Sequence, residues 1–469
     1  MDLRAEQRPA ARPRRDRTEP QGGRRALRGG GPGAHMKVVV LGAGVIGVAS
    51  AWFLSRHGFE VSVVDRQAEP AAETSFANGG QISVSHAEPW ANPAAPLKIL
   101  RWLGRRDAPL LLRPQPDPAQ WRWGLAFLRE CTRERTRHNT AQLVRLGLYS
   151  RATLQALRRE TGIAYDERTR GILHLYTDAA ELEAAREPAR LMTELGCERR
   201  VVSADEAVAI EPALRQARAL LVGATYTEAD ESGDACRFTR ELAAMCRARG
   251  VRFLMGHRVT ALRSSGGRIG HVEAIDAEGR YVRLEGDRYV LAMGCDSAAL
   301  AAPLGVRLNL YPAKGYSLTM PVRDASLAHQ VSLTDDGHKL VFSRLGERLR
   351  IAGTAELGGY GRALDHTRCA AILRRVEQLF PGAGDTSRVE YWSGLRPATP
   401  SNLPYVGGTR VANLFLNTGH GTLGWTQACG SGRALADLMA GRQPEVDFAF
   451  CGAPVARTPP IAGRENMSA

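Results

Sequence analysis

Lys37-Val38-Val39-Val40-Leu41-Gly42-Ala43-Gly44-Val45-Ile46-Gly47 is the stretch that decides how this chain folds. The apolar run before Gly42 reads as a buried strand, and the G-x-G-x-x-G that follows delivers the chain into a helix. Such a turn leaves the N–H groups of a helix N-terminus facing a pyrophosphate. Apolar residues continue at helical spacing over 45–56, and a second strand, Glu60-Val61-Ser62-Val63-Val64, ends in Asp65. Asp65 stands 18 positions after Gly47, where an acidic side chain accepts hydrogen bonds from an adenosine ribose. Strand, turn, helix and acid in register predict a dinucleotide-binding unit. Its candidate cofactor contacts are Val38, Gly42, Gly44, Val45, Ile46, Gly47, Asp65 and Arg66.

At 469 residues the chain is long enough for two or three domains. No run of 18 apolar residues occurs, so no segment reads as a membrane-spanning helix. The eight cysteines never stand closer than ten positions, which excludes C-x-x-C metal and redox motifs and predicts reduced thiols. Net charge is +14, and the first 35 residues, with nine arginines against four acids, supply +5 of it. That Arg-, Gly- and Pro-rich segment has no apolar centre of a secretory signal. It is expected to be a disordered extension, with Met36 as a candidate first residue. The remaining charge is dispersed, and no aromatic-basic motif for RNA or DNA occurs, so no nucleic-acid partner is expected.

Along the chain, the loop Asn78-Gly79-Gly80-Gln81 is followed by a Pro-, Trp- and Arg-rich region over 89–129. Helices are expected over 140–160, 178–196, 234–249, 367–379 and 426–439, and a small antiparallel meander over 251–290. The strand Arg288-Tyr289-Val290-Leu291 runs to Gly294, a strand end suited to close approach of a dinucleotide. The whole reads as α/β: a Rossmann-type dinucleotide-binding domain plus a second α+β substrate domain dominated by an antiparallel sheet. The dinucleotide-binding part takes 36–95, 140–175, 197–305 and 400–442; the substrate part takes 96–139, 176–196 and 306–399; 443–469 is a tail.

Three further places carry candidate chemistry. The segment Gly419-His420-Gly421-Thr422-Leu423-Gly424 opens a helix with no acid until Asp437. A helix N-terminus stabilises negative charge, which suits a reduced flavin and, with the N-terminal turn, favours FAD over other dinucleotides. Arg396, in Trp392-Ser393-Gly394-Leu395-Arg396-Pro397, has its backbone fixed by glycine and proline, and its guanidinium suits a carboxylate. Tyr316, in Lys314-Gly315-Tyr316-Ser317, offers a hydroxyl for a substrate or a ring for a core. The glycines flanking His420 point to a backbone role.

These motifs, with Glu73-Thr74-Ser75-Phe76-Ala77-Asn78-Gly79-Gly80-Gln81 and Asn417 through Trp425, closely resemble the D-amino acid dehydrogenase small-subunit family, within the D-amino acid and glycine oxidase superfamily. The resemblance runs in order from Met36 to about Arg442. It implies FAD as cofactor, with Ser75, Asn78, Gly79, Gly80 and Gln81 at the flavin. Gly421, Thr422, Leu423 and Gly424 would face the flavin pyrimidine edge, and Arg396 the substrate carboxylate. Val259 and Gly294 complete the candidate cofactor shell, and Tyr316 and His86 join Arg396 as candidate catalytic residues.

Two departures stand out: Val84-Ser85-His86-Ala87-Glu88-Pro89-Trp90, near the expected pocket, and Thr399-Pro400-Ser401-Asn402. The first bears on substrate choice. The expected reaction is oxidative deamination of a D-amino acid, D-alanine first, to a 2-oxo acid and ammonia. Electrons would pass to a quinone or other respiratory acceptor. The alternatives are a glycine- or sarcosine-type oxidase using O₂, and a flavin-binding subunit without turnover. A cytoplasmic protein is expected, peripheral on the inner membrane. Between Leu97 and Arg129, Lys98, Arg101, Arg105, Arg106, Arg113, Arg122 and Arg129 outnumber Asp107 and Asp117, and Trp102, Trp121, Trp123 and leucines are interleaved among them.

Overall fold

A computed structural model of the chain describes residues 36–102 and 109–452. The extension over 1–35, Arg105, Arg106 and Asp107, and residues 453–469 of the expected tail lie outside the described residues.

Lys37–Leu41 occupies an inner position of a six-stranded sheet, paired in parallel with Glu60–Val64 on one side and Arg288–Leu291 on the other. The sheet continues outward to Arg252–Leu254 and to Leu414–Thr418, and ends on Tyr405–Gly408, its single antiparallel strand. The apolar run is buried on both faces, as a parallel sheet requires. Val38 and Val40 pack with the helices Val45–Arg56, Ala235–Ala248 and Gly424–Met439. Val39 and Leu41 pack on the opposite side with Val259, Leu262, Ile269 and Val272 of a three-stranded antiparallel meander.

The second sheet has nine strands and is mostly antiparallel. Glu390–Ala398, Tyr311–Pro321, Arg348–Leu357, Leu340–Leu345 and Ser332–Asp335 form its continuous antiparallel body. Ile172–Tyr176 joins Ser332–Asp335 in parallel and carries Gly223–Thr227 and Arg200–Val202 beyond it. These last three strands come almost wholly from 140–175 and 197–305, ranges that the sequence assigns to the dinucleotide-binding part, and they pair into the large sheet. They are short apolar runs between turns, and such runs reveal a strand but not its partner, which long-range pairing selects.

The Pro- and Trp-rich region folds into two helices, Ala95–Trp102 and Pro118–Glu130. Asp117 caps the second by accepting the Ala119 N–H at 2.9 Å, ahead of Pro118 in the first turn. Both pack with Tyr311, Ala313 and Leu357 of the large sheet. Part of the expected tail is also fixed, because Val446 and Phe448 enter the core beneath the Rossmann helices.

Candidate active site

Between the two sheets lies a cavity of about 970 Å³. It brings together Gly42, Gly44, Val45, Ile46, Asp65, Arg66, Ser75, Asn78, Gly79, Gly80, Gln81, Gly294, Gly421, Thr422, Leu423 and Gly424 with Arg396, Tyr316 and His86. Val38, Gly47 and Val259 stand behind this wall. Val38 is a sheet residue, Val259 belongs to the meander core, and a Cβ at Gly47 would collide with the Gly42 carbonyl.

The turn after the first strand is built for close approach. Gly42 has φ +108°, and a side chain there would strike the Ala292 carbonyl. Gly44, by contrast, has only Ser75 Oγ near a hypothetical Cβ, at 3.4 Å, so its missing side chain keeps cavity space open. The helix it begins has no side-chain cap from Gly44; Ser75 Oγ accepts the Val45 N–H at 3.0 Å. Asp65 closes the turn by accepting from Ala43 N–H at 2.7 Å and Gln67 N–H at 2.9 Å. Burial pushes its carboxyl pKa up despite those two bonds. Arg66 is tied to Glu73 at 2.9 Å and to Asp296 at 2.9 Å, which holds it at the cavity edge.

Asn78 folds its loop by accepting the Gly80 N–H at 2.9 Å, while Gln81 Nε2 donates to Ser332 Oγ and the Leu333 carbonyl. Across the cavity, Gly421–Leu423 is a single 3₁₀ turn leading into Gly424–Met439. Neither element has a side-chain cap. Its N–H groups therefore leave a positive helix end at the wall. Asn417, also in the wall, keeps a buried Oδ1 with no partner among the described residues. Open glycine backbone, two helix N-termini and an acid at the ribose position fit an FAD. His420 sits outside this chemistry: its Nε2 pairs with Ser431 Oγ at 3.1 Å, and burial pushes its pKa down to about 3.

Arg396 lies on Glu390–Ala398, opposite Ala313, and its guanidinium covers the backbone of Gly315, where any Cβ would collide with it. The glycine of Lys314-Gly315-Tyr316 thus clears the space that the arginine fills. Among the described residues, Arg396 makes one side-chain hydrogen bond, to the Thr354 carbonyl at 2.8 Å, and no salt bridge. Burial, and then repulsion from Arg368, push its pKa down to about 10, still far above neutrality. An unpaired guanidinium in a cavity wall is a strong carboxylate receptor.

The other two candidate catalytic residues fare differently. The Tyr316 hydroxyl donates to Glu356 at 2.6 Å inside a cluster with Lys314 and Arg113, so its proton is engaged within the cavity wall. His86 lines the cavity, stacked on His174 with ring centroids 5.8 Å apart. Burial and the neighbouring His174 push its pKa down to about 3, which makes it a neutral wall and a weak base. Behind it, His174 bridges Ser85 at 3.1 Å and Asp336 at 3.0 Å, and Arg199 reaches Glu88 at 2.8 Å. Of this polar end, Ser85 and Glu88 lie in the departure that the sequence places near the pocket, whereas His174, Arg199, Asp336 and Thr354 carried no sequence signal, because each comes from a separate distant segment.

The profile of the family described as FAD dependent oxidoreductase (DAO) matches residues 37–438. A D-amino acid dehydrogenase of Dechloromonas aromatica is 56% identical over 415 residues, 88% of this chain and 99% of that protein. One from Paramagnetospirillum magneticum is 54% identical over 88% of this chain and 97% of its own length. Among solved structures, glycine oxidase from Geobacillus kaustophilus shares the fold with a TM-score of 0.68 at 22% identity, covering 88% of this chain and 97% of that one.

Proposed function

The chain belongs to the DAO family of FAD-dependent oxidoreductases, and from that premise we propose that it oxidises D-amino acids to their imines, which hydrolyse to 2-oxo acids and ammonia. The observation that carries the reading is Arg396, an unpaired cation in the wall of the cavity that also holds the Gly42–Gly44 turn and the Gly421–Gly424 helix start. The names of the relatives favour a D-amino acid, with D-alanine the first substrate to test.

FAD, when bound, supplies the acceptor for the two electrons and the hydrogen that leave Cα. The protein's part is positioning. Arg396 grips the carboxylate through two parallel hydrogen bonds, and the Thr354 carbonyl keeps the guanidinium from turning away. Fixing a reactant this way contributes up to roughly 7–11 kcal/mol in well-oriented systems. The uncapped start of Gly424–Met439 favours negative charge that develops beside it. His86, neutral at pH 7, adds a wall without competing for the carboxylate. Electrons then pass to a quinone or another respiratory acceptor, with the protein peripheral on the cytoplasmic face of the inner membrane. No helix among the described residues is long and apolar enough to cross a membrane.

Anaerobic titration with paired D- and L-amino acids tests this reading through flavin bleaching. D-alanine should bleach the flavin and L-alanine should not. Rapid peroxide formation in air would favour the oxidase alternative, and a flavin that stays oxidised with every amino acid would remove the enzymatic reading.

A further inference from the structure

The two helices formed by the Pro- and Trp-rich region divide their side chains sharply. Trp123 and Phe127 are buried, and Trp123 Nε1 donates to the Ala398 carbonyl at 2.9 Å. Arg113, just before the second helix, is held by Glu356 and Asp365. The opposite faces have no cover among the described residues. Leu97 and Leu100 are 62% and 64% exposed, and Trp121, Leu125 and Leu128 are 57%, 61% and 51% exposed. Five of the eleven exposed large hydrophobic side chains among the described residues therefore stand on two helices that share one core cluster. Their spacing, i to i+3 on one helix and i, i+4, i+7 on the other, draws each set into a stripe.

Beside those stripes run Lys98, Arg101, Arg122 and Arg129, all exposed and none in a salt bridge among the described residues. Glu130 is the only acid in either helix. Three of the exposed apolar residues, Trp121, Leu125 and Leu128, also line the cavity. A residue can be both only at a mouth. Just inside, Ile99, Leu110 and Leu112 continue the lining with apolar surface.

We infer that these two helices seat the protein on an anionic phospholipid surface, with their apolar stripes at the acyl boundary and the cavity mouth opening into the lipid. Charge of one sign beside exposed tryptophan and leucine complements anionic headgroups over a hydrocarbon layer. An apolar mouth at that level lets a lipid-soluble acceptor reach the cavity without crossing water. The placement deepens the respiratory-acceptor reading and rests on it only for what enters the mouth.

The test uses the full FAD-loaded chain and sedimentation with vesicles of phosphatidylcholine alone or mixed with phosphatidylglycerol, in the absence of substrate. Binding should require phosphatidylglycerol and fall with added salt. Arg122→Glu with Arg129→Glu should lower the partition coefficient by roughly twentyfold or more, since each basic residue near the surface adds about fivefold. Leu97→Ser with Leu100→Ser should lower it at low salt, leaving flavin content and turnover with a water-soluble dye unchanged. Binding insensitive to all four substitutions would place lipid affinity elsewhere on the chain and overturn the inference. So would a doubling of mass in light scattering that Leu97→Ser with Leu100→Ser abolishes, which would make a second copy the occupant. Loss of amino-acid oxidation with vesicle binding intact would instead count against the proposed reaction.

Discussion

Among the described residues Arg396 donates one side-chain hydrogen bond, to the carbonyl of Thr354, and Thr354 holds a φ of +53°. A β-branched residue in the left-handed region is an outlier that costs about 1–2 kcal/mol. The conformation is sustained by a second bond, from the Thr354 N–H to the Lys339 carbonyl at 3.1 Å, and Lys339 itself has φ +54°. Two adjacent strands thus share a local distortion that turns one carbonyl onto the arginine facing the cavity.

Thr354→Gly should therefore separate stability from function. Glycine removes the strain but adds about 0.5–1 kcal/mol of unfolded-state entropy, and the Thr354 hydroxyl forfeits nothing because it is buried without a partner among the described residues. The variant is expected to match or exceed the parent in urea unfolding, while KM for the amino acid rises. A clear drop in the unfolding midpoint would show that the threonine is structural.

Arg396→Lys should lower kcat/KM tenfold or more, because an ammonium cannot reproduce a two-pronged grip and each charged hydrogen bond is worth about 1.5–3 kcal/mol. Arg396→Met should abolish carboxylate-dependent turnover yet leave the fold as stable or slightly more so, since the guanidinium has no carboxylate partner among the described residues. Steady-state kinetics alongside thermal unfolding decide the matter; parent-like kinetics in Arg396→Lys would move the carboxylate site elsewhere.

Gly44→Leu should fold and yet fail to retain FAD. A Cβ at Gly44 meets only Ser75 Oγ at 3.4 Å, whereas at Gly42 and Gly47 it would meet backbone. The cofactor loses its approach while the apoprotein keeps its core. Flavin absorbance per mole of folded protein reads this directly, and normal FAD content would sink the placement.

Stability should fall with acid through three histidines that the fold keeps neutral, His86, His329 and His420. Burial pushes the pKa of His329 down to about 4 and those of His86 and His420 down to about 3, against about 6.5 when unfolded. Below pH 6.5 the unfolded chain binds protons that the fold refuses, so stability is lost as pH drops. The slope is about 1.4 kcal/mol per pH unit per histidine, reaching down to about pH 4 for His329 and about pH 3 for His86 and His420. His420→Gln should flatten that slope by one proton in denaturant titrations. An unchanged slope would assign the titration to other groups.

The sequence by itself determined the Rossmann unit, because its signals are local. A buried strand, a glycine turn and an amphipathic helix each follow from neighbours within a few residues, and Gly42 must be glycine for a backbone reason that no distant contact alters. It also named Arg396 and the Gly421–Gly424 helix start as candidates, through rare local patterns. Only the tertiary structure decided that Gly315 clears room for Arg396 and that Thr354 orients it. It alone drew Tyr316 away to Glu356, 40 positions along the chain. The strands Ile172–Tyr176 and Gly223–Thr227 likewise took partners that their own composition left open. Pairing in a sheet and contact across a cavity depend on side-chain fit between distant segments, and a linear pattern with a period of two or 3.6 residues carries no record of which segments will meet.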